Sequence, residues 1–555
     1  MALDSSTPTP TPTRPDGRGD KTGVDRIVFG VAAALALIFV LYGSLDSKGF
    51  AEHGGSVLSW ITGNFGWFFV LTSAGFVLFS VVLAVTRYGN IKLGPDDSTP
   101  EFSTFSWVSM MFATGMGIGL MFYGVAEPLT HLNTPPMGMA EPGSEEAAHL
   151  AMEYTFFHWG FHPWAMYAVI GLAIAYFAYR KGYGNLISAA FRPLLGSRAD
   201  GPVGRSIDIV AILATLFGSA TSLGLGALQI TGGLANVFGH EKYGTTAAAL
   251  VIAFLTLCFV VSAVSGIDKG IKWLSNANAV AAALLVFFIF VVGPTVFILS
   301  TFTESIGGYL TQLPGMSFRT GVFGGGDWLS GWTIFYWAWW VSWTPFVGMF
   351  IARISKGRTI RQFVIFVIAI PSLVSFVWFS ILGGAAFDLQ LKEGKDMAAL
   401  VKDGLETTLF GTLREFPLSS ITVSLAVFLI AIFFITGADS ASIVMGMLSQ
   451  RGEEEPNRSL VIFWGVVTGV IATVLLFANG LSALQTGVII IGFPFLMILI
   501  GLCVSLWKSL RQETFESTLR GPLRTSLHRL EQDVDELEAD VEEIEGSLER
   551  RPPPS

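Results

Sequence analysis

Residues 115–129 read GMGIGLMFYGVAEPL, an apolar run whose first five positions hold three glycines, Gly115, Gly117 and Gly119. A helix crossing a bilayer loses its regular hydrogen bonding at such a place, because glycine gains little from staying helical. A second unusual run, WTIFYWAWWVSW at 332–343, puts five of the 15 tryptophans into twelve residues and is followed by Pro345, which is expected to break its helix. The two runs are the third and eighth of twelve apolar segments, at 27–45, 60–86, 104–124, 150–179, 206–236, 246–266, 273–300, 330–353, 360–384, 417–449, 459–479 and 482–507. Interruptions five segments apart predict an internal repeat with a binding site at its interface. Five helices are an odd number, so segments 8–12 run inverted relative to segments 3–7. The expected fold is an all-α polytopic membrane protein of 12 transmembrane helices, two of them preceding the repeats.

Composition agrees. Of 555 residues, 52% are hydrophobic and 14% charged, and the mean hydropathy is +0.60, a balance that excludes a soluble globular domain. The net charge of -9 is concentrated in the C-terminal acidic tract, and basic stripes that would bind nucleic acid are absent. Cys258 and Cys503 both lie in apolar segments and read as core residues. Residues 1–25, rich in Pro, Thr and Gly, are expected to form a disordered tail. Residues 26–508 are expected to form one twelve-helix membrane domain, and 509–555 an acidic helix with a heptad pattern from Leu527 to Leu548. Basic residues cluster before segment 1 and after every even segment, at Arg87/Lys92, Arg180/Lys181, Lys269/Lys272, Arg353–Arg361 and Arg451/Arg458. That alternation places both termini in the cytoplasm. The outer loops 301–329 and 385–416 are long enough for short amphipathic helices.

The tryptophan run of segment 8 reads as an aromatic pocket, or alternatively as an interfacial belt. Segment 4 adds Trp159, Trp164 and Tyr167, which a continuous helix places on one side. Facing rings form a cage that attracts a quaternary ammonium at roughly 0.5–2 kcal/mol per ring. At the glycines, freed N–H groups of Gly117, Ile118 and Gly119 and the positive end of the following half-helix suit a carboxylate. Close helix packing is the other use of such glycines. Together, cage and nest describe a betaine. Thr215, Ser219 and Ser222 line one face of segment 5, and Phe433, Thr436, Gly437 and Ser440 one face of segment 10. Their oxygens suit sodium, or else bond the carbonyl one turn back. Glu127 and Glu153 lie near predicted helix ends, and Asp439 reads as an ion relay or a buried capping group. His158 and His162 read as hydrogen-bonding residues beside the cage; without a second histidine pair, a two-haem site is not built.

Five strings, GMGIGLMFYGVAEPL (115–129), FHWGFHPWAMYA (157–168), LGLGALQI (223–230), WTIFYWAWWVSWTPFVGMFIARIS (332–355) and ITGADSAS (435–442), resemble the betaine/choline/carnitine transporter family from about residue 24 to 508. The resemblance implies a leucine-transporter-like fold, assembly as a homotrimer and no enzymatic activity. It implies no cofactor, only sodium as coupling ion, and residence in the bacterial cytoplasmic membrane. It makes Trp159, Trp164, Tyr167 and Trp340 the substrate box, with Trp343 and Trp339 on the cytoplasmic path. One sodium site would use the Ala113 and Met116 carbonyls, Phe433, Thr436 and position 437, and a second Thr215, Ser219 and the Phe346 ring. Sodium-coupled members commonly carry Ser where Gly437 stands, which leaves one ligand oxygen fewer. Choline-type members end the glycine motif with Asp, whereas Gly119 favours a zwitterion. A zwitterion is not concentrated by the membrane potential, but each sodium ion contributes about 2.3 kcal/mol per 100 mV. The expected function is sodium-coupled uptake of glycine betaine or a related compatible solute such as ectoine or proline, for osmoprotection. The rival is a proton-driven or exchange transporter for choline or carnitine.

Overall fold

The computed structural model describes residues 23–115, 117–240, 242–265 and 268–549, and among them every regular element is helical. Helices α1 (Arg26–Leu45) and α2 (Ser47–Val85) come first, joined at Asp46, whose side chain accepts the Gly49 N–H at 2.9 Å. Next come α3 (Thr104–Gly115) and α4 (Ile118–Asn133), then α5 (Glu145–Trp159) and α6 (Phe161–Ala175). Helices α7 (Pro202–Phe238), α8 (Thr245–Ser265), α9 (Asp268–Val292) and α10 (Thr295–Ser317) follow. The chain closes with α11 (Phe335–Ile354), α12 (Ile360–Leu391), α13 (Ser419–Ser449) and α14 (Arg458–Glu549). Among the described residues, eight spans are long and apolar enough to cross a membrane, with α5 and α6 together making one of them, and the bent pair α9–α10 is a ninth candidate. The chain is a multi-pass membrane protein.

Backbone chemistry explains where these helices break. Proline lacks an N–H and crowds the carbonyl four residues earlier, and in hydrocarbon that carbonyl must find another donor. Pro163 sets this conflict at Trp159. The chain answers by leaving the helix at Gly160 (φ -98, ψ -127) and restarting at Phe161, whose N–H is bonded by the Tyr309 hydroxyl at 3.3 Å. The expected continuous segment 4 is therefore two helices. Pro294 sets the same conflict at Phe290, whose carbonyl takes the Thr295 hydroxyl at 2.7 Å. There the chain turns by 110°, so α10 leaves the direction of α9. Pro345 behaves differently. The Thr344 hydroxyl reaches the Val341 carbonyl at 2.6 Å, and α11 continues through the proline. The expected break in segment 8 is absent. In its place a short π-helical turn, Ser330–Ile334, precedes α11.

The glycine run does interrupt the chain. Helix α3 ends at Gly115, Met116 lies outside the described residues, and Gly117 is fully extended (φ -172, ψ -172) before α4 begins. Helix α4 runs nine residues past the end expected for segment 3, which puts Glu127 inside it rather than near its end. Within α14, Asn479 and Gly480 are not helical, and Gly480 (φ 57, ψ -133) adopts a conformation open in practice only to glycine. The N-terminal tail up to residue 22 lies outside the described residues. In the acidic C-terminal stretch the chain remains helical to Glu549, with Leu530, Val534 and Leu537 exposed.

A Cβ at Gly160 would stand 2.5 Å from the Phe156 carbonyl oxygen and 2.9 Å from the Phe376 ring. Gly160→Ala is therefore expected to cost about 1–3 kcal/mol and to lower the thermal midpoint in detergent by several degrees. A midpoint equal to the parent's would mean that the chain does not pass so close at Gly160.

Candidate functional site

At the centre of the fold, α4, α5, α6, α7, α11 and α12 enclose a cavity of about 60 Å³. Its wall includes Gly117, Ile118 and Gly119 from the interrupted segment, Trp159, Trp164 and Tyr167 from α5 and α6, and Trp339, Trp340 and Trp343 from α11. Nine of the ten residues expected to touch substrate thus share one cavity; the tenth, Gly115, is the last residue of α3. The tryptophans of α11 are buried apart from the half-buried Trp343, so they do not form an interfacial belt. Trp159 meets Trp340 edge to face at 4.9 Å, and Tyr167 meets Trp340 at 6.3 Å and 81°. Trp339 and Trp340 stack at 5.1 Å, and Trp164 stands edge-on to Tyr167 at 5.3 Å. The break at Gly160 falls between Trp159 and Trp164, so the helical phase expected from a continuous segment does not hold, yet the rings still converge.

Space at the cage is tight. A Cβ at Gly119 would come within 2.8 Å of the Trp159 ring and 3.1 Å of the Trp339 ring, whereas one at Gly117 would meet nothing within 4 Å. Ordinary small-ligand pockets hold roughly 300–1,000 Å³, so this cavity is small beside them. Two of the lining tryptophans, Trp339 and Trp343, have buried indole nitrogens without an acceptor among the described residues.

A network that sequence reasoning missed lies beside the cage. Glu127 is completely buried in α4 and accepts the Trp159 Nε1–H on Oε2 at 2.7 Å, together with the Tyr336 hydroxyl. Its Oε1 lies 2.7 Å from His158 Nδ1 and 3.5 Å from His131 Nε2. On its other side the His158 ring places Nε2 2.9 Å from the Thr333 hydroxyl. Although Glu127, His131 and His158 could together surround a metal ion, the Glu127 oxygens are already engaged within the protein. Trp340 donates its Nε1–H to the His158 carbonyl at 3.0 Å, in the last turn of α5, where carbonyls lack a helical partner. His162 stacks on Trp337 at 5.1 Å and has no hydrogen-bond partner among the described residues. Two further side chains serve the start of α4: Trp378 donates to the Leu120 carbonyl at 2.9 Å and Gln229 to the Met121 carbonyl at 2.7 Å. Gln229 sits in the LGLGALQI string; of the Glu127 partners only His131 shares its helix, and the rest come from α5 and α11.

The expected sodium ligands lie on α3, α7, α11 and α13. The Thr215 hydroxyl donates to the Ala211 carbonyl at 2.9 Å, and that of Thr436 to Ile432 at 3.0 Å. Each hydroxyl hydrogen is thereby turned away and the oxygen lone pairs stay available. Ser219 is buried near Thr215 on the same helix, while Phe346 meets Trp343 edge-on at 5.6 Å. Phe433 and Gly437 flank Thr436 on α13, and a Cβ at Gly437 would meet nothing within 4 Å. Ala113 lies in the last turn of α3, and Met116 is outside the described residues.

Comparison with known proteins places this geometry. A family model described as betaine/carnitine/choline family transporter matches residues 27–515. The chain is 46% identical to a probable glycine betaine transporter of Desulfitobacterium hafniense, over 88% of this chain and 99% of that protein. It is also 46% identical to the glycine betaine transporter OpuD of Bacillus subtilis, over 88% and 95%. With the betaine/ectoine transporter LcoP of Corynebacterium glutamicum it shares 42% identity, over 89% and 79%. The chain belongs to the betaine/carnitine/choline family of membrane transporters.

Proposed function

We propose that this protein takes up glycine betaine, or a related compatible solute such as ectoine, by sodium-coupled symport across a bacterial cytoplasmic membrane. The observation that carries this reading is the closure of Trp159, Trp164, Tyr167 and Trp340 around a cavity that is also lined by the extended Gly117 and the first residues of α4, Ile118 and Gly119. Ring faces suit a quaternary ammonium that cannot donate hydrogen bonds. The carboxylate then takes backbone N–H groups at the start of α4 and the unpaired indole N–H groups of Trp339 and Trp343. The relatives named for glycine betaine and for betaine and ectoine support the same substrate class.

The reading includes twelve crossings. The nine span candidates become twelve when the interrupted pair α3–α4 and helix α11 are added and α14 is counted as two passes. Support for the last step comes from length: Arg458–Glu513 is 56 residues, about 84 Å as a helix, far more than one bilayer, and it is interrupted at Asn479–Gly480. An even number of crossings puts both termini on one side, which the basic loops make the cytoplasm. Sodium at the Thr215/Ser219/Phe346 and Phe433/Thr436/Gly437 positions supplies the driving force that a neutral zwitterion cannot draw from the potential itself.

Uptake of labelled betaine, ectoine, proline, choline and carnitine into a transport-deficient bacterium, with and without sodium at fixed pH, tests the proposal directly. Sodium-dependent betaine uptake is expected; uptake indifferent to sodium would remove the coupling, and preference for choline or carnitine would remove the substrate. Replacing Trp340 by Leu keeps bulk but removes the ring quadrupole and the hydrogen bond to His158. It should raise KM at least tenfold in a normally inserted protein.

Gly119→Ala, which drives a methyl into two rings, should weaken betaine binding strongly, while Gly117→Ala should leave packing intact and lower affinity much less. Equal effects would place the substrate away from Gly119. For the ion, Gly437→Ser has room for its hydroxyl and should lower the sodium concentration for half-maximal uptake, with Thr436→Ala raising it. Sodium curves unmoved by both would put the ion elsewhere.

A further inference from the structure

We propose that Glu127 is a positioning residue for the substrate cage, holding the mutual angle of Trp159 and the Tyr336–Trp340–Trp339 stack through a carboxylate that never touches substrate. This rests on the reading of the cage as the substrate site. The carboxylate takes donors from both walls of the cage, the Trp159 indole and His158 ring on α5 and the Tyr336 hydroxyl on α11. Tyr336 lies nearly parallel to Trp340 at 5.9 Å and 17°, and Trp340 lies nearly parallel to Trp339 at 5.1 Å and 14°. Trp159 stands across that stack, 77° to Trp340 and 86° to Trp339. One buried group thus fixes the stack by its Tyr336 end and the perpendicular ring by its N–H.

The anchoring is reinforced from behind. His158 presents Nδ1 to Glu127, bonds Thr333 with Nε2 and offers its backbone carbonyl to Trp340, so displacement of Glu127 reaches Trp340 by a second route. The His131 ring stands 4.5 Å from that of Trp332, and its Nε2 is the other basic group near the carboxylate. Glu127, His131 and His158 are all fully buried. Water does not compete for these hydrogen bonds, so each ring has one place to go. A cation held by ring faces depends steeply on their orientation, and a cage aligned in advance loses less on binding.

Glu127→Gln preserves size but gives an NH2 group in place of one acceptor oxygen. The Trp159 N–H then loses its acceptor, while the Gln oxygen still serves His158 and the Tyr336 hydroxyl turns to accept. In purified protein the betaine Kd should rise at least tenfold, with kcat in proteoliposomes changed less than about twofold. The indole N–H marker band in UV resonance Raman spectra should shift in the parent background and not in Trp159→Phe. The two changes should also be non-additive, so that Glu127→Gln adds little to Kd once Trp159 is Phe. Tyr336→Phe, which removes one donor and leaves the carboxylate, should raise Kd in the same direction by a smaller factor. An unchanged Kd, full additivity with Trp159→Phe, or a loss of kcat at constant Kd would each overturn the proposal. The Raman band is read without substrate. If the parent binds no zwitterion, the functional reading fails while the band still shows whether Glu127 holds Trp159.

Discussion

Every backbone carbonyl freed inside a bilayer has to be given a donor, and this constraint governs where the present fold bends and where it does not. Water is not there to help, and an unpaired polar group costs several kcal/mol. Three prolines pose the same problem and meet three local answers. At Pro345 a neighbouring threonine hydroxyl supplies the donor and the helix goes on. At Pro294 a threonine again supplies it, but the preceding Gly293 lets the chain turn sharply. At Pro163 the chain leaves the helix one residue after Trp159. The functional centre lies beside the last of these breaks, where Trp378 and Gln229 tie the start of α4 to its neighbours by donating to the Leu120 and Met121 carbonyls.

Seen this way, the polar side chains inside the bundle fall into two groups. Thr215, Thr436 and Ser442 bond the carbonyl one turn back on their own helix and leave its path alone. Glu127, Gln229, Trp340 and Trp378 bond across helices and so define how far apart those helices sit. The aromatic cage depends on the second group. Rings packed only by shape could slide over one another, but an indole N–H with a single buried acceptor cannot rotate without losing it.

Much of this was legible in the chain. The density of tryptophan at 332–343 and the glycines at 115–119 are so far from ordinary composition that they mark the centre without any model of the fold. The break at Gly160 was legible too, because Pro163 four residues beyond Trp159 announces it, and a reading that counted only ring positions passed over it. The continuity of α11 was misjudged for the opposite reason: proline was counted and Thr344 beside it was not. Glu127 was beyond reach. Of its partners only His131, one turn on, is joined to it by helical periodicity; 158, 159 and 336 are brought to it by the packing of α4, α5 and α11.

The unbroken α11 and the broken α5–α6 pair give the cage walls of unequal stiffness. A continuous helix moves as one body under small rotations, so a tilt of α11 carries Trp339, Trp340 and Phe346 together in fixed proportion. Trp159 and Trp164 stand on opposite sides of Gly160, where a few degrees of backbone rotation displace one without the other. One wall is thus a plate and the other a hinged pair of leaves. A shape held between them meets one face that shifts only as a whole and another whose two rings can shift separately.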